Sequence, residues 1–250
     1  MRQLIVCCLL MVAVAATAQD PASLLEEGRK LELKLKDEEA YAKYREVVKI
    51  QPGNQKALLK SAELSCTLGA RKEKPEEKNG YYQVAKKYTE TALAIDTSSA
   101  EAYTVMALVN SKIAEIEKSN DELVKAVKAA KQYADKAVAV NPQYGKGWYM
   151  LGKWHLDALL INALKKAAYK VIYGGVGEAS IDKAIEYMEK CKTLEPYYCS
   201  NFYDLARAYE YSHQYEKSIA ILQQLAKLPT KRQEDVNTKA LGAALLQKLQ

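Results

Sequence analysis

The sequence has few of the residues from which most catalytic and metal sites are built. It contains two histidines, His155 and His213, in different parts of the chain. It has no HExxH, CxxC or GxSxG motif and no phosphate-binding glycine loop. These absences predict a protein that is not an enzyme and that has no metal or cofactor. We expect His155 to be a core or groove-edge residue rather than a catalytic base or metal ligand.

Cysteine is also scarce outside the amino-terminal apolar run. After Cys7 and Cys8, the chain has only Cys66, Cys191 and Cys199. Proteins that depend on disulfides carry an even number of cysteines at close spacing, so the sequence does not indicate a disulfide-stabilised fold. We predict that the three are small buried hydrophobic residues. A disulfide between Cys191 and Cys199 remains an alternative, because the sequence does not determine how far apart the two sulfurs lie.

Long apolar runs are missing except at the start of the chain. Met1-Arg2-Gln3 precedes an apolar run from Leu4 to Ala16, which is followed by Thr17 and Ala18. This run is shorter than the ~20 residues that cross a bilayer, and it ends on an A-x-A pattern typical of signal-peptide cleavage. The sequence therefore predicts a signal peptide at 1–18, cleavage after Ala18, and export to the periplasm or the medium.

Charged residues are common but are not segregated by sign. They make up 27% of the chain, the net charge is +6, and Lys and Glu alternate along the sequence. Such alternation is typical of solvated helix faces. A nucleic-acid surface would need clustered Lys and Arg with stacking aromatics, so we predict no nucleic-acid partner.

The chain is dominated by a repeated pattern of small and large residues. Small residues, four positions after a bulky one, mark the first helix of each predicted hairpin. The small residues are Gly28, Ala62, Ala107, Gly152 and Ala206, and the bulky ones are Leu24, Leu58, Tyr103, Trp148 and Phe202. This order matches the tetratricopeptide (TPR) pattern of two antiparallel helices. The sequence predicts an all-α solenoid of about five hairpins.

The spacing between repeats predicts unequal hairpins. The intervals from Pro52 to Thr97 and from Thr97 to Pro142 are each 45 residues, against 34 in an ordinary TPR. We therefore expect lengthened second and third hairpins, with turns at 71–80 and 117–121, and a Ser119-x-x-Glu122 capping box at the start of the returning helix. The interval from Pro142 to Pro196 is 54 and indicates a helical insertion in the fourth hairpin.

The predicted boundaries follow from these spacings. A signal peptide (1–18) precedes one solenoid (19–250), which ends in a capping helix. The predicted units are 21–54, 55–99, 100–144, 145–198 and 199–231, followed by the capping helix at 232–250.

The insertion carries a resemblance to a known family. Leu151-Gly152-Lys153-Trp154 leads into the mostly apolar stretch 156–173 and then into Gly174-Gly175-Val176-Gly177. This order resembles the TPR-type domain of the regulator of microtubule dynamics protein family, in which a Leu-Gly-Arg-Trp segment precedes an amphipathic insertion and a glycine-rich turn. The likeness extends more weakly from about Leu58 to Leu249. The resemblance implies a helical adaptor without enzyme activity, while the export signal argues against a microtubule partner.

Two surfaces are candidates for partner binding. TPR arrays bind through the concave face formed by the first helices, and large aromatic and Arg side chains are typical anchors there. The positions predicted to line or flank this groove are Arg29, Glu63, Leu108, Tyr149, Lys153, Tyr203, Arg207 and Tyr211. They predict a protein or peptide partner, with ordinary solvated side chains as the alternative.

The other candidate surface is the insertion itself. Segment 156–173 has three lysines beside an apolar face, a pattern that suits peripheral contact with an anionic membrane. The alternative is a helix packed on its neighbours, because most apolar helices of this length belong to a core.

Overall fold

The structure, a computed structural model, describes residues 20–160 and 179–250. Within these two ranges all the regular secondary structure is α-helical, which confirms the predicted fold class. The predicted signal peptide lies outside the described residues, and so do positions 161–173 of the insertion and its glycine turn. Among the described helices, none is long and apolar enough to cross a membrane.

The helices of the described ranges form five consecutive antiparallel hairpins and one final helix. Each hairpin joins a first helix, which faces the concave side, to a second helix that returns along its outer side. In chain order they are α1 (Pro21–Leu33), α2 (Asp37–Ile50), α3 (Gln55–Ala70), α4 (Pro75–Ile95), α5 (Ala100–Ile116), α6 (Asn120–Val140), α7 (Gly145–Leu160), α8 (Ile181–Leu194), α9 (Cys199–Tyr211), α10 (Tyr215–Lys227) and α11 (Gln233–Leu249).

The second and third hairpins are longer than the first and the fifth, as predicted. Their returning helices, α4 and α6, have 21 residues each, whereas α2 and α10 have 14 and 13. The turn predicted at 71–80 is shorter than expected, because α4 already begins at Pro75. Proline suits the first turn of a helix, where its missing N–H group and fixed φ cost nothing.

The predicted capping box at Ser119 is wrong. Ser119 is the residue before α6, but its side chain makes no capping hydrogen bond. Its backbone N–H instead donates to Glu117 Oε1 at 2.9 Å, within the preceding turn. Side-chain caps are present elsewhere: Asn54 accepts from the N–H of Ala57 at 3.0 Å, and Ser99 starts α5 in the same way.

Small residues allow the helices of a hairpin to approach closely. A Cβ placed on Gly28 would lie 2.8 Å from the Tyr44 ring, and one on Gly152 would lie 2.6 Å from Met188 Cγ. Both positions therefore need glycine for packing, because any side chain would overlap the second helix. The remaining small residues of this pattern are fully buried alanines: Ala62, Ala107 and Ala206.

The hairpins stack so that their first helices form a continuous inner layer. Contacts run from α3 to α5, from α5 to α7 and from α7 to α9, while α11 packs on α9 and α10. Cys66, Cys191 and Cys199 are buried in these interfaces and are free thiols. The bridge left open between Cys191 and Cys199 is not formed.

A candidate binding cavity on the concave face

A cavity of about 940 Å³ lies against the inner layer of the solenoid. Side chains from α3, α5, α7 and α9 line it, together with the α1–α2 turn and the amino-terminal half of α11. Sites for small molecules or for short peptide segments commonly have volumes of this order. The cavity therefore lies on the face that the TPR pattern predicts for partner binding.

Five of the eight predicted groove residues line this cavity. They come from four consecutive first helices. The positions predicted from the repeat pattern on these helices therefore lie on a common face. The five are Glu63, Leu108, Tyr149, Lys153 and Tyr203.

The other three predicted groove residues lie elsewhere. The Arg29 side chain is half exposed and pairs with Glu26 on its own helix at 2.7 Å. Tyr211 is 40% exposed and is the last residue of α9, beyond the part of that helix that faces the cavity. Arg207 does not line the cavity but contacts two residues that do: Asp204, which accepts from Arg207 Nη1 at 2.9 Å, and Tyr203, whose ring centroid lies 5.6 Å from the guanidinium carbon.

Glu63 is the centre of an ion-pair network in the cavity wall. Its carboxylate lies 3.3 Å from Lys60 Nζ and 3.6 Å from Lys146 Nζ, and Lys60 also contacts Glu32 at 3.2 Å. Burial disfavours the charged carboxylate, but Lys146 and Lys60 outweigh it and lower the pKa of Glu63 to about 2. Glu63 is therefore ionised at neutral pH, and the network connects the first, second and fourth hairpins.

A second polar group connects α7 to α9. The Tyr149 hydroxyl donates to Asp204 Oδ2 at 2.9 Å, and Lys153 pairs with Asp157 one turn further along α7 at 2.9 Å. Burial and the Asp204 carboxylate both raise the pKa of Tyr149. Tyr149 and Lys153 thus have intramolecular partners, so they also fix the shape of the cavity wall.

Several lining residues were not predicted from the sequence. Lys60, Lys112 and Lys146 line the cavity beside the predicted Glu63, Leu108 and Lys153. Each lies three, four or seven positions from a predicted residue, which is the spacing of side chains on one helix face. Extending the count by one or two turns along each helix would have found them.

No spacing pattern in the sequence predicted that α11 would line the cavity. The helix was predicted only as a cap, yet Gln233, Glu234 and Val236 line the cavity. Glu234 Oε1 accepts from Ser200 Oγ at 2.9 Å. The position of this turn depends on the curvature of the whole solenoid, which no local pattern encodes.

The described residues contain no cluster of metal ligands, and His155 is buried. No group of three His, Cys, Asp or Glu residues is arranged to hold a metal ion in the part of the chain that the structure describes. His155 is buried, and its Nδ1 accepts from the N–H of Ser180 at 3.3 Å. Burial, with Lys131 and Lys183, lowers the pKa of His155 to about 4. Its neutral ring therefore accepts a hydrogen bond from the chain just before α8.

The first residue of the insertion belongs to the apolar core. Leu156, the first residue of the predicted membrane-binding segment, is fully buried among residues of α8, α9 and α10. The predicted membrane contact otherwise concerns residues 161–173, which lie outside the described ranges.

The sequence matches one protein family over almost all of the described chain. The family described as regulator of microtubule dynamics protein 1-3 matches residues 24–250. Regulator of microtubule dynamics protein 3 of Rattus norvegicus is 24% identical over 124 residues. This match covers 50% of the present chain and 26% of the rat protein, so the chain corresponds to about a quarter of that relative.

Solved structures support the fold independently. TTC0263, a thermophilic TPR protein of Thermus thermophilus, has a TM-score of 0.66 at 17% identity, with 91% of this chain and 100% of that chain covered. PilF of Pseudomonas aeruginosa has a TM-score of 0.51 at 18% identity, with 92% and 91% covered. At these identities the similarity concerns the fold, which is a TPR solenoid.

Proposed function

The chain belongs to the regulator of microtubule dynamics protein 1-3 family, and on this premise we propose that it is a non-catalytic adaptor. It binds a protein or peptide segment in the concave cavity. The observation that carries this proposal is the cavity of about 940 Å³, to which four consecutive first helices contribute side chains. A wall built from successive repeats suits an extended or helical segment.

The composition of the wall supports a polypeptide partner. Tyrosines, apolar side chains and charged side chains of both signs line the cavity, among them Tyr198, Tyr203 and Leu108. Such a mixture offers rigid apolar area together with hydrogen-bond donors and acceptors, which is typical of protein interfaces. Val236, an apolar residue of α11 that is 54% exposed, adds uncovered apolar surface within the cavity.

The same proposal places the adaptor in the cell envelope or outside the cell. It rests on the pattern of residues 1–18, an apolar run that ends on Ala16-Thr17-Ala18. The rat relative is named for microtubule dynamics, but this chain covers only a quarter of it. Export would also separate the chain from microtubules, so we assign no cytoskeletal partner. Amino-terminal sequencing of the protein from its host should find Gln19 first; retention of Met1 would contradict export.

Site-specific photocrosslinking tests the binding face. A benzoylphenylalanine replaces Val236, an exposed valine inside the cavity, or Val140, a valine at the end of α6 that is 42% exposed and outside the cavity lining. Both probes replace the same residue type at comparable exposure. In native extract we expect a discrete crosslinked species from position 236 and none from position 140.

A substitution in the cavity then checks that the adduct depends on the wall. Tyr203→Ala should reduce the yield at position 236 at least about fivefold, since tyrosine is enriched among the interface residues whose truncation costs about 2 kcal/mol or more. Tyr215→Ala, an exposed tyrosine outside the cavity lining, serves as the control. Two results would reject the concave face as the binding surface. One is an equal crosslinking yield from positions 236 and 140, and the other is a yield at position 236 that Tyr203→Ala leaves unchanged.

A further inference from the structure

The two ends of the solenoid meet across the cavity. The backbone N–H of Asp37, at the start of α2, donates to Gln233 Oε1 at 3.3 Å. Thr67 Oγ1, on α3, lies 3.5 Å from Glu234 Oε2. These partners are separated by 196 and 167 residues in sequence. The first turn of α11 therefore bridges the amino-terminal units and the carboxyl-terminal unit over the binding face.

The bridge is attached very differently at its two ends. On the carboxyl-terminal side, Leu245, Leu246 and Leu249 pack into the apolar core of α9 and α10. A Cβ on Gly242 would lie only 2.6 Å from Leu225, so α11 sits tightly on that hairpin. On the amino-terminal side, α11 is held by the hydrogen bond of Gln233 and by the polar contact between Glu234 and the Thr67 hydroxyl, which also donates to the Glu63 carbonyl at 3.2 Å. The last hairpin therefore holds α11 by extensive apolar packing, whereas the first units hold it by two polar contacts.

The contact between α11 and the first units is weak compared with the packing of α11 on the last hairpin. The Gln233 bond and the Thr67–Glu234 contact are both long, and both are only partly buried. Such bonds contribute little net free energy, because water replaces either partner when they open. In a solenoid each repeat contacts mainly its neighbours, so small rotations between hairpins add up to a large movement of the ends.

We propose that Gln233 and Glu234 form a clasp that holds the solenoid closed over its concave cavity and that opens to admit the partner. The clasp opens by a change in solenoid curvature, while α11 stays on its hairpin. Its role in partner entry rests on the proposed function, but the two positions of the ends do not. The closed and open forms can therefore be measured without a partner.

Distance measurements on the free protein test the clasp. Spin labels are attached at Glu73→Cys, in the exposed α3–α4 turn, and at Ala244→Cys, on the exposed side of α11, after Cys7 and Cys8 are changed to Ser. The native Cys66, Cys191 and Cys199 are buried and do not compete for label. Pulsed electron paramagnetic resonance then gives the distribution of distances between the two ends.

The clasp variant is Gln233→Ala with Glu234→Ala. Its control, Gln247→Ala with Glu90→Ala, removes the same two residue types from exposed positions outside the cavity lining. We expect one short distance in the parent and the control. In the clasp variant a longer distance should appear, with the open-to-closed ratio raised by about fivefold or more. Thr67→Val, which removes one bridging donor from the opposite end, should widen the distribution in the same direction by less.

Identical distance distributions in the parent, the clasp variant and Thr67→Val would overturn the proposal, provided that circular dichroism shows all three folded. Photocrosslinking at position 236 in the clasp background separates this proposal from the proposed function. Faster adduct formation than in the parent supports gating by the clasp, and an unchanged rate despite wider distances overturns it. Wider distances with no adduct in either background would instead reject the concave binding function and leave the clasp standing.

Discussion

The third and fourth hairpins place an aromatic residue at the same position, and the two residues make the same contact. The Tyr103 hydroxyl donates to the carbonyl of Thr97 at 2.9 Å. Trp148 Nε1 donates to the carbonyl of Pro142 at 2.8 Å. In both cases the acceptor lies six residues earlier, in the turn that precedes the first helix. The aromatic side chain therefore stabilises this turn against the helix that follows it.

The surroundings of these two residues also repeat. Each ring lies against a tyrosine of the second helix, and a lysine three residues after that tyrosine lies over the aromatic ring of the first helix. The ring centroids of Tyr103 and Tyr133 are 6.2 Å apart, and those of Trp148 and Tyr187 are 5.4 Å apart. The covering lysines are Lys136 and Lys190.

The concave faces of the same hairpins do not repeat. One position after the small residue, the third hairpin has Leu108 and the fourth has Lys153, while the second has Glu63. These side chains line one cavity but make unrelated contacts. Packing positions repeat because their neighbours repeat, whereas concave positions face a space whose contents differ from unit to unit. Residues that break the repeat are therefore the better guide to binding.

The largest expected change in the free energy of unfolding concerns the buried residues that pack between helices. Leu156→Ala should lower the free energy of unfolding by about 2–5 kcal/mol, since a fully buried leucine leaves a cavity when truncated. Leu160→Ala, at a position 41% exposed on the same helix, should cost less than about 1 kcal/mol. Urea denaturation measures both. Equal losses would show that Leu156 is not part of the core of the fourth unit.

The close approach of helices predicts opposite effects for two glycines. Gly152→Ala should destabilise the protein by about 1–3 kcal/mol, because its methyl group would overlap Met188 Cγ and the Ala184 carbonyl. Gly80→Ala, within α4, meets nothing within 4 Å and should stabilise by up to about 1 kcal/mol through helix propensity. Thermal and urea denaturation check the signs, and a loss of stability at both positions would contradict this account of the repeat.

On the concave side, Glu63→Gln should cost about 1–2 kcal/mol at neutral pH. Two lysines lose their carboxylate partner, but the Glu63 side chain is 22% exposed, which limits the loss. The pKa of Glu63 is lowered from 4.5 to about 2 by Lys146 and Lys60 against the opposing effect of burial. Its stabilisation is therefore complete above the unfolded pKa and is lost as the pH falls through the folded value.

The difference in unfolding free energy between the parent and Glu63→Gln should accordingly shrink from about pH 5 to about pH 2. Glu90→Gln, an exposed change on α4, should show a small difference at every pH. A parent-to-variant difference for Glu63 that stays constant over this range would mean that the ion pairs do not stabilise the fold.

The smallest expected effect concerns the repeated aromatic residues. Tyr103→Phe removes one hydrogen bond to a turn carbonyl and should cost about 0.5–1 kcal/mol. Trp148→Phe loses the equivalent bond and some ring contact, so its cost should be equal or slightly larger. Tyr197→Phe, at a position 56% exposed, is the control with an expected effect near zero. A large difference between Tyr103→Phe and Trp148→Phe in urea denaturation would show that the two hairpins are not equivalent.

Much of the fold could be predicted because a TPR hairpin is specified locally. Gly28 and Gly152 stand where a larger residue would overlap the second helix, and the prolines mark where hairpins end. The turn at 71–80 was predicted too long because its charged and polar residues were taken as a turn, although Pro75 and the residues after it belong to α4, where proline fits the first turn. The capping box at Ser119 did not form: its side chain makes no cap, and Glu117 accepts from the N–H group that Glu122 was expected to bind.

The site could be predicted only in part. Glu63, Leu108 and Lys153 were found because they hold one register position in successive hairpins, and the cavity follows that register. Arg29 holds the same position but pairs with Glu26 at the end of the array. A repeat position has the same environment only where a neighbouring unit lies on both sides.

The sequence by itself determined the class of fold, the number of hairpins and their unequal lengths, because these depend on side-chain spacing within 45 residues, the interval from Pro52 to Thr97. Only the tertiary structure decided that Gln233 and Glu234 lie opposite Asp37 and Thr67. That meeting depends on the rotation accumulated over five hairpins. Each rotation is set by packing at an interface between units, and the sum of these rotations is a property of the whole chain.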